Sequence, residues 1–356
     1  MSEVAYLIMC GGKGERFWPL STEEKPKQYL SIFSDKPLLT KAVERVLPLT
    51  DIDHIFIATN KSQKELVKEV CPNIKDSNII LEPLFKDTAA AIGFGSSLIA
   101  QRFDNPIICV LASDQLINDE ENFRKTLQIA VKSAENNEIV TLGIFPTSSR
   151  TEYGYIKVSS PKVNEETKCL AFKEKPQLEV AKQYFESKEY LWNSGMFIFK
   201  YSVLMDAFEK YSPIHHEVFS ELCESVNLEN LSENEYTCRL FFEKLPKISI
   251  DYAVMEKAEN VYVIPSSFDW DDVGSFEAFF KLFEKDVDNN VILNSLFFKV
   301  DSNNNIVVSS EKDVEVGLIG IKNSIIACNK GKILVCDRTK SALIKELLEE
   351  RNKVVK

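Results

Sequence analysis

An α/β fold on a mixed, mainly parallel sheet, followed by a small β-rich tail, is predicted by three features of the 356-residue chain. Strand-like and helix-like runs alternate from residue 4 to about 145, the pattern of strands joined by crossover helices. The first apolar run, Val4 to Met9, reads as a buried strand and opens directly into a glycine loop. Beyond the polar stretch Asp286 to Asn290, short β-rich runs broken by Asn-Asn, Lys-Asn and Lys-Gly turns replace the alternation.

Taken in order, the loop is followed by helical spacing over 38–49, a strand at 55–58 and a helix over 61–70. A short strand at 78–81 ends in Glu82-Pro83, and an Ala-rich helix over 88–102 follows. The strand at 107–111 ends in Ala112-Ser113-Asp114, and a helix over 123–135 leads to a strand at 139–144. From Pro146 short strands at 155–158, 170–172 and 196–199 surround a helix at 178–187. Helical segments then occupy 203–244 and 250–257, a strand 261–264 and a helix 275–285. All of this reads as one domain, 1–286. The runs at 296–300, 306–308 and 316–336 suggest the stacked turns of a small β-helix, closed by an amphipathic helix over 338–353, giving a second domain over 291–356. The phenylalanine pairs Phe241-Phe242 and Phe279-Phe280 read as core.

Composition narrows the function. The 43 Lys and Arg against 54 Asp and Glu give a net charge of −11, which argues against a nucleic-acid or anionic-membrane surface. No apolar run approaches the roughly 20 residues of a membrane span, and Met-Ser-Glu leads straight into the first strand without a visible signal peptide. The eight cysteines include no CxxC pair, so reduced thiols in a cytoplasmic protein are expected rather than a disulfide framework or a zinc site. With three histidines, the chemistry is expected to rest on other groups.

The stretch Cys10 to Tyr29, CGGKGERFWPLSTEEKPKQY, carries the strongest signal. It lacks the Gly-Lys-Ser/Thr of a P-loop and the third glycine of the dinucleotide fingerprint. A flexible loop rich in N–H groups after a buried strand nevertheless suits phosphate. Arg16 as a fork and Lys27 as a point charge could bind polyphosphate oxygens; solvated surface residues are the plainer alternative. Asp114 lies just past the carboxyl end of a strand, where open α/β sheets bind ligands, and a carboxylate there suits Mg²⁺ as well as an N-cap. Asp272, in FDWDDVGS, is a second candidate ligand or cap. Glu174-Lys175, in FKEKP, could hold sugar hydroxyls and the sugar's phosphate, or form a surface ion pair. Asn193, in WNSG, offers an amide in a turn before a strand. Glu82 and Thr88 flank a polar loop, where capping the Ala-rich helix is the simpler role.

In this order the motifs CGGKGERFWPLS with KPKQ, EPLFKDTAAAI, ASDQLI, GIFPTSSRTEYGYI, FKEKP, WNSGMFIF, SIDYAVMEK and WDDVGSF resemble the mannose-1-phosphate guanylyltransferases, of the nucleotidyltransferase superfamily that makes nucleotide sugars. The resemblance spans 7–276, and the tail is similar to that family's tail. It implies a Rossmann-like nucleotidyltransferase domain with a small β-helix-like domain. The implied activity is transfer of GMP from GTP to mannose 1-phosphate, giving GDP-mannose and pyrophosphate. By matched position, Gly11, Gly12, Lys13 and Gly14, with Glu82 and Thr88, would bind the nucleotide. Arg16, Lys27 and Asp114 would be catalytic, Asp114 and Asp272 would hold Mg²⁺, and Gly154, Glu174, Lys175 and Asn193 would hold the sugar phosphate. Asp87 stands where the family commonly has Asn, Ala90 where it has Pro, ASDQ where PADH is usual, and Glu152 where Gly is usual. No second, isomerase domain is visible, so a single activity is expected. The β-rich tail is the candidate interface for a homodimer. Three alternatives carry different predictions. They are a silent nucleotide-sugar-binding regulatory paralogue, a sibling enzyme using another nucleotide or hexose 1-phosphate, and a glycosyltransferase, against which KPKQ argues.

Overall fold

A computed structural model describes residues 2–12, 14–231 and 233–354. Compactness divides the chain in a way that its linear order does not show. One unit comprises Met1–Gly11, Ala42–Ser113 and Ile117–Trp270; the other comprises Gly12–Lys41, Asp114–Leu116 and Asp271–Lys356. The expected linear boundary at 286–291 is therefore not where the compact units part. Its reason is the core of the second unit, in which Phe17, Leu20, Leu30 and Phe33 of the glycine-loop region cluster with Phe276, Phe279, Val291, Ile306 and Ile325.

The first unit holds a ten-stranded sheet of β1 (Val4–Met9), β2 (Ile55–Asn60), β3 (Ile79–Glu82), β4 (Ile107–Ala112), β5 (Ile139–Ile144), β6 (Tyr155–Lys157), β7 (Thr167–Lys168), β8 (Ala171–Lys173), β9 (Tyr190–Lys200) and β10 (Val261–Ser266). The order is β3-β2-β1-β4-β9-β5-β10-β7, with β6 pairing β8 and β9. Pairs within β3-β2-β1-β4 and between β5 and β10 are parallel; β9 is antiparallel to β4, β5 and β6. Successive strand residues face opposite ways, so the burial of all six residues of β5 means that both of its faces are covered. The Ala-rich helix, Thr88–Ile99, is buried from Ala89 to Ile99. Small residues let it approach its neighbours closely: a Cβ on Gly93 would lie 2.0 Å from the Phe219 ring.

The long β9 corrects one expectation. WNSG does not form a turn before a strand; it lies inside β9, where the register against β5 shifts between Thr141 and Gly143. The helix expected over 250–257 is a π-helical turn, Asp251–Met255, in which the Glu256 N–H donates to the Asp251 carbonyl.

The second unit contains the expected stacked turns. Strands β11 (Val291–Leu293), β13 (Ile306–Ser309) and β15 (Ser324–Asn329) pair in parallel, as do β12 (Ser295–Val300) and β14 (Val314–Ile319), while β16 (Lys332–Asp337) pairs antiparallel to β15. Val291, Ile306 and Ile325 fall in register and are fully buried. Asparagines tie the turns from inside: Asn305 Nδ2 donates to Asn290 Oδ1 (3.0 Å) and to the Ile321 carbonyl (2.9 Å), and the Ser324 N–H donates to Asn305 Oδ1 (3.0 Å). Both Asn290 and Asn305 are wholly buried, so each buried amide is satisfied by the next rung, as buried polar groups must be.

Candidate functional site

The expected site residues fall into groups, each inside one compact unit. In the second unit the glycine loop is shaped by its own side chains. Gly14 has φ +64°, and a Cβ there would lie 2.5 Å from the Lys27 backbone nitrogen, so this position needs glycine for both conformation and space. The Gly14 carbonyl accepts from Ser21 Oγ, and the Gly12 carbonyl from Gln28 Nε2 (3.0 Å). Engaging these carbonyls removes groups that would repel an anion. Arg16 is exposed in a short 3₁₀ turn, Glu15–Phe17, anchored by the buried Phe17 ring against Phe33 and Phe276. Lys13 lies outside the described residues.

Lys27 behaves differently from a surface cation. It is 6% exposed, and its Nζ donates to the Asp272 carbonyl (2.8 Å) and the Val273 carbonyl (3.1 Å) while pairing with Asp114 Oδ2 (2.9 Å). An ammonium has three protons to donate, and here three acceptors surround it. The Asp272 carboxylate folds over Gly274, where a Cβ would lie 2.7 Å from Asp272 Oδ2. Lys27 thus joins the Asp114 carboxylate to the backbone that carries Asp272, and both aspartate side chains offer hard oxygen donors. No cluster of three His, Cys, Asp or Glu suited to a metal occurs among the described residues. Two carboxylates without soft ligands fit Mg²⁺, which takes one or two carboxylates and completes its shell with phosphate oxygens and water.

In the first unit, Gly154, Glu174, Lys175 and Asn193 do come together. The Asn193 N–H donates to the Gly154 carbonyl (2.8 Å). A Cβ on Gly154 would lie 2.5 Å from Glu174 Oε2 and 3.2 Å from Asn193 Cβ. Lys175 pairs with Glu174; burial works against its charge, but the Glu174 hydrogen bond holds its pKa above the usual lysine value. Sequence reasoning missed a member of this group. Asp251 Oδ1 accepts from Asn193 Nδ2 at 3.1 Å. Burial, then the charge of Glu174, raises the Asp251 pKa to about 7, with Lys175 opposing. Glu256, at the other end of the π turn, accepts from the Glu174 N–H (3.2 Å). Their signal was SIDYAVMEK, whose apolar Ala-Val-Met run reads as an ordinary helix.

Two expected nucleotide residues have separate surroundings in the same unit. Glu82 ends β3, with Oε1 3.6 Å from where a Gly11 Cβ would stand, and burial raises its pKa to about 8. The Thr88 hydroxyl accepts from the Ile250 N–H (2.9 Å). It therefore fastens the start of the Ala-rich helix to the segment carrying Asp251, while Asp87 Oδ1 caps the Thr88 N–H (2.8 Å).

With this geometry in hand, the nucleotidyl transferase family model matches residues 5–289, and the chain belongs to that family, among its mannose-1-phosphate guanylyltransferases. The mannose-1-phosphate guanylyltransferase RfbM of Salmonella typhimurium is 34% identical over 96% of this chain and 71% of its own length. The mannose-1-phosphate guanylyltransferase of Escherichia coli is 33% identical over 96% of this chain and 73% of its own length. Among solved structures, a Thermus thermophilus protein described as a mannose-1-phosphate geranyltransferase superposes with a TM-score of 0.86 at 31% identity, covering 98% of this chain and 99% of that one.

Proposed function

We propose that the protein transfers GMP from GTP to mannose 1-phosphate, with Mg²⁺ as cofactor. A phosphate oxygen of mannose 1-phosphate attacks the α-phosphorus of GTP. The new P–O bond gives GDP-mannose, and the bond to the β-phosphate breaks to release pyrophosphate. The nucleophile is already an anion, so no general base is required; positioning and charge neutralisation carry the barrier.

The observation that carries the reading is the group formed by Gly154, Glu174, Lys175, Asn193 and Asp251. A sugar phosphate presents several hydroxyls and one anion. Glu174 and Asp251 offer acceptors for hydroxyls, Asn193 an amide, and Lys175 a cation for the phosphate. The exposed Arg16 is the cation for the triphosphate, beside the loop of Gly12 and Gly14. Glu82 supplies a buried carboxyl next to Gly11 for the N–H edge of guanine. Asp114 and Asp272 would hold Mg²⁺, which when bound offsets the charge of the phosphates.

All eight cysteines are free thiols, the state that a reducing compartment maintains. No described helix is long and apolar enough to cross a membrane. Leu296, Phe298, Val300 and the paired Ile319 are exposed together on β12 and β14, which supports a homodimer through this unit. Light scattering with Phe298→Glu tests that point: the variant is expected to be monomeric, and an unchanged dimer, or a monomeric parent, contradicts it.

Activity is tested by pyrophosphate release. Release that requires GTP, mannose 1-phosphate and Mg²⁺ together is expected. Equal or faster release with another nucleotide or hexose 1-phosphate would assign a sibling specificity.

A further inference from the structure

Val273 has φ +46°, a region in which a β-branched residue is a genuine outlier. Such backbone persists only where the surroundings over-determine it, and here they do. The Val273 N–H donates to Asp271 Oδ1 (2.9 Å), and Asp271 Oδ2 accepts from Lys281 Nζ (2.6 Å). On the other side of the turn, Lys27 Nζ takes the carbonyls of both Asp272 and Val273. The peptide that follows Asp272 is thus gripped at its carbonyl by Lys27 and at its N–H by Asp271. Asp114 alone would suffice to balance the lysine's charge; binding two successive carbonyls does something more, because it fixes a backbone.

We propose that Lys27 and Asp271 are positioning residues that hold the left-handed Val273 turn and thereby aim the Asp272 carboxylate at its divalent cation. The role deepens the reading of Asp272 as a cation ligand and rests on it. Without the ammonium, both carbonyls lose their buried donor. Valine then relaxes toward negative φ, and the peptide that sets the direction of Asp272 rotates with it.

The test uses the full chain and two readouts other than turnover: Mn²⁺ binding, followed by the paramagnetic resonance of the free ion, and hydrogen exchange across residues 270–276. Lys27→Met leaves the half-exposed Asp114 to water. It is expected to speed exchange of the Val273 amide by about tenfold and to bind Mn²⁺ about tenfold more weakly than Lys27→Met with Val273→Gly, which carries the same charge beside Asp114. Adding Val273→Gly is expected to restore most of the Mn²⁺ affinity, because glycine adopts positive φ without strain. Unchanged exchange in Lys27→Met, or no recovery in the double variant, overturns the proposal. Should Lys27→Met fail to fold, Asp271→Asn carries the same test, with faster exchange at Val273 and about threefold weaker Mn²⁺ binding expected. Equal Mn²⁺ binding by the parent and by Asp272→Asn would refute the cation reading; the exchange measurement would still decide whether Lys27 holds the turn.

Discussion

The two compact units bury charge in opposite ways. In the second, the buried Lys27 meets a carboxylate and two carbonyls, so its charge is matched inside the protein. In the first, Asp251 and Glu82 lack such a cation in contact among the described residues, and burial raises them to about 7 and about 8. One unit fixes a charge and uses it to hold backbone; the other buries carboxyls whose charged form is costly. In the proposed reaction these would be two jobs, placing phosphates and recognising a sugar and a base.

The largest expected effect breaks the phosphate side. Arg16→Ala should lower kcat by about 10²- to 10³-fold, the cost of losing one pre-aimed donor to developing charge, with Tm nearly unchanged because the residue is exposed. A kcat within a few-fold of the parent would remove Arg16 from the mechanism.

Asp251→Asn should reduce kcat/KM for mannose 1-phosphate by about 10- to 100-fold, since a hydroxyl loses a charged acceptor. The same change should stabilise the fold in mild alkali. An acid whose folded pKa is raised contributes stability that is present below its unfolded value, near 4, and is lost as pH rises through about 7. Calorimetry at pH 8 should therefore show a Tm higher by about 2–4 °C, and at pH 4 little difference. A lower Tm at pH 8 would show that Asp251 is held as a structural anion.

Gly154→Ala sharpens the same region. The added Cβ must displace the Glu174 carboxylate, so KM for the sugar phosphate should rise about tenfold while KM for GTP stays put. An equal rise in both would mean that Gly154 does not act through Glu174.

The smallest effect concerns Glu82. If its carboxylate receives the base's N–H groups, GTP binding favours the ionised form, and KM for GTP should fall several-fold as pH rises through about 8. Glu82→Gln should flatten that profile; an identical slope in the variant would place the titration elsewhere.

Most of the fold was legible in the sequence because its periodicities are strong. The strand at 139–144 and the helix at 178–187 lie where the patterns place them. The division into units was not, because it depends on Phe17, Leu20 and Phe33 meeting Phe276 and Phe279 across some 250 residues of chain, and no local pattern records such a pairing. At the site, Glu174, Lys175 and Asn193 stood out as polar residues in loop-like contexts. Asp251 did not, since its neighbours read as core and only the π turn presents it to Asn193. Lys27 was legible as a cation but not as a buried one: the partners that bury it, Asp114 and the 272–273 carbonyls, lie far along the chain.

The pairing of GTP with mannose 1-phosphate is open to a single assay. Pyrophosphate release should be followed with each of the four nucleoside triphosphates against mannose, glucose and galactose 1-phosphates, with and without Mg²⁺. GTP with mannose 1-phosphate should give the highest kcat/KM, neither substrate alone should release pyrophosphate, and release should stop without the metal. Tight binding of GDP-mannose with no release in any combination would contradict that pairing and mark the chain as a silent binding protein.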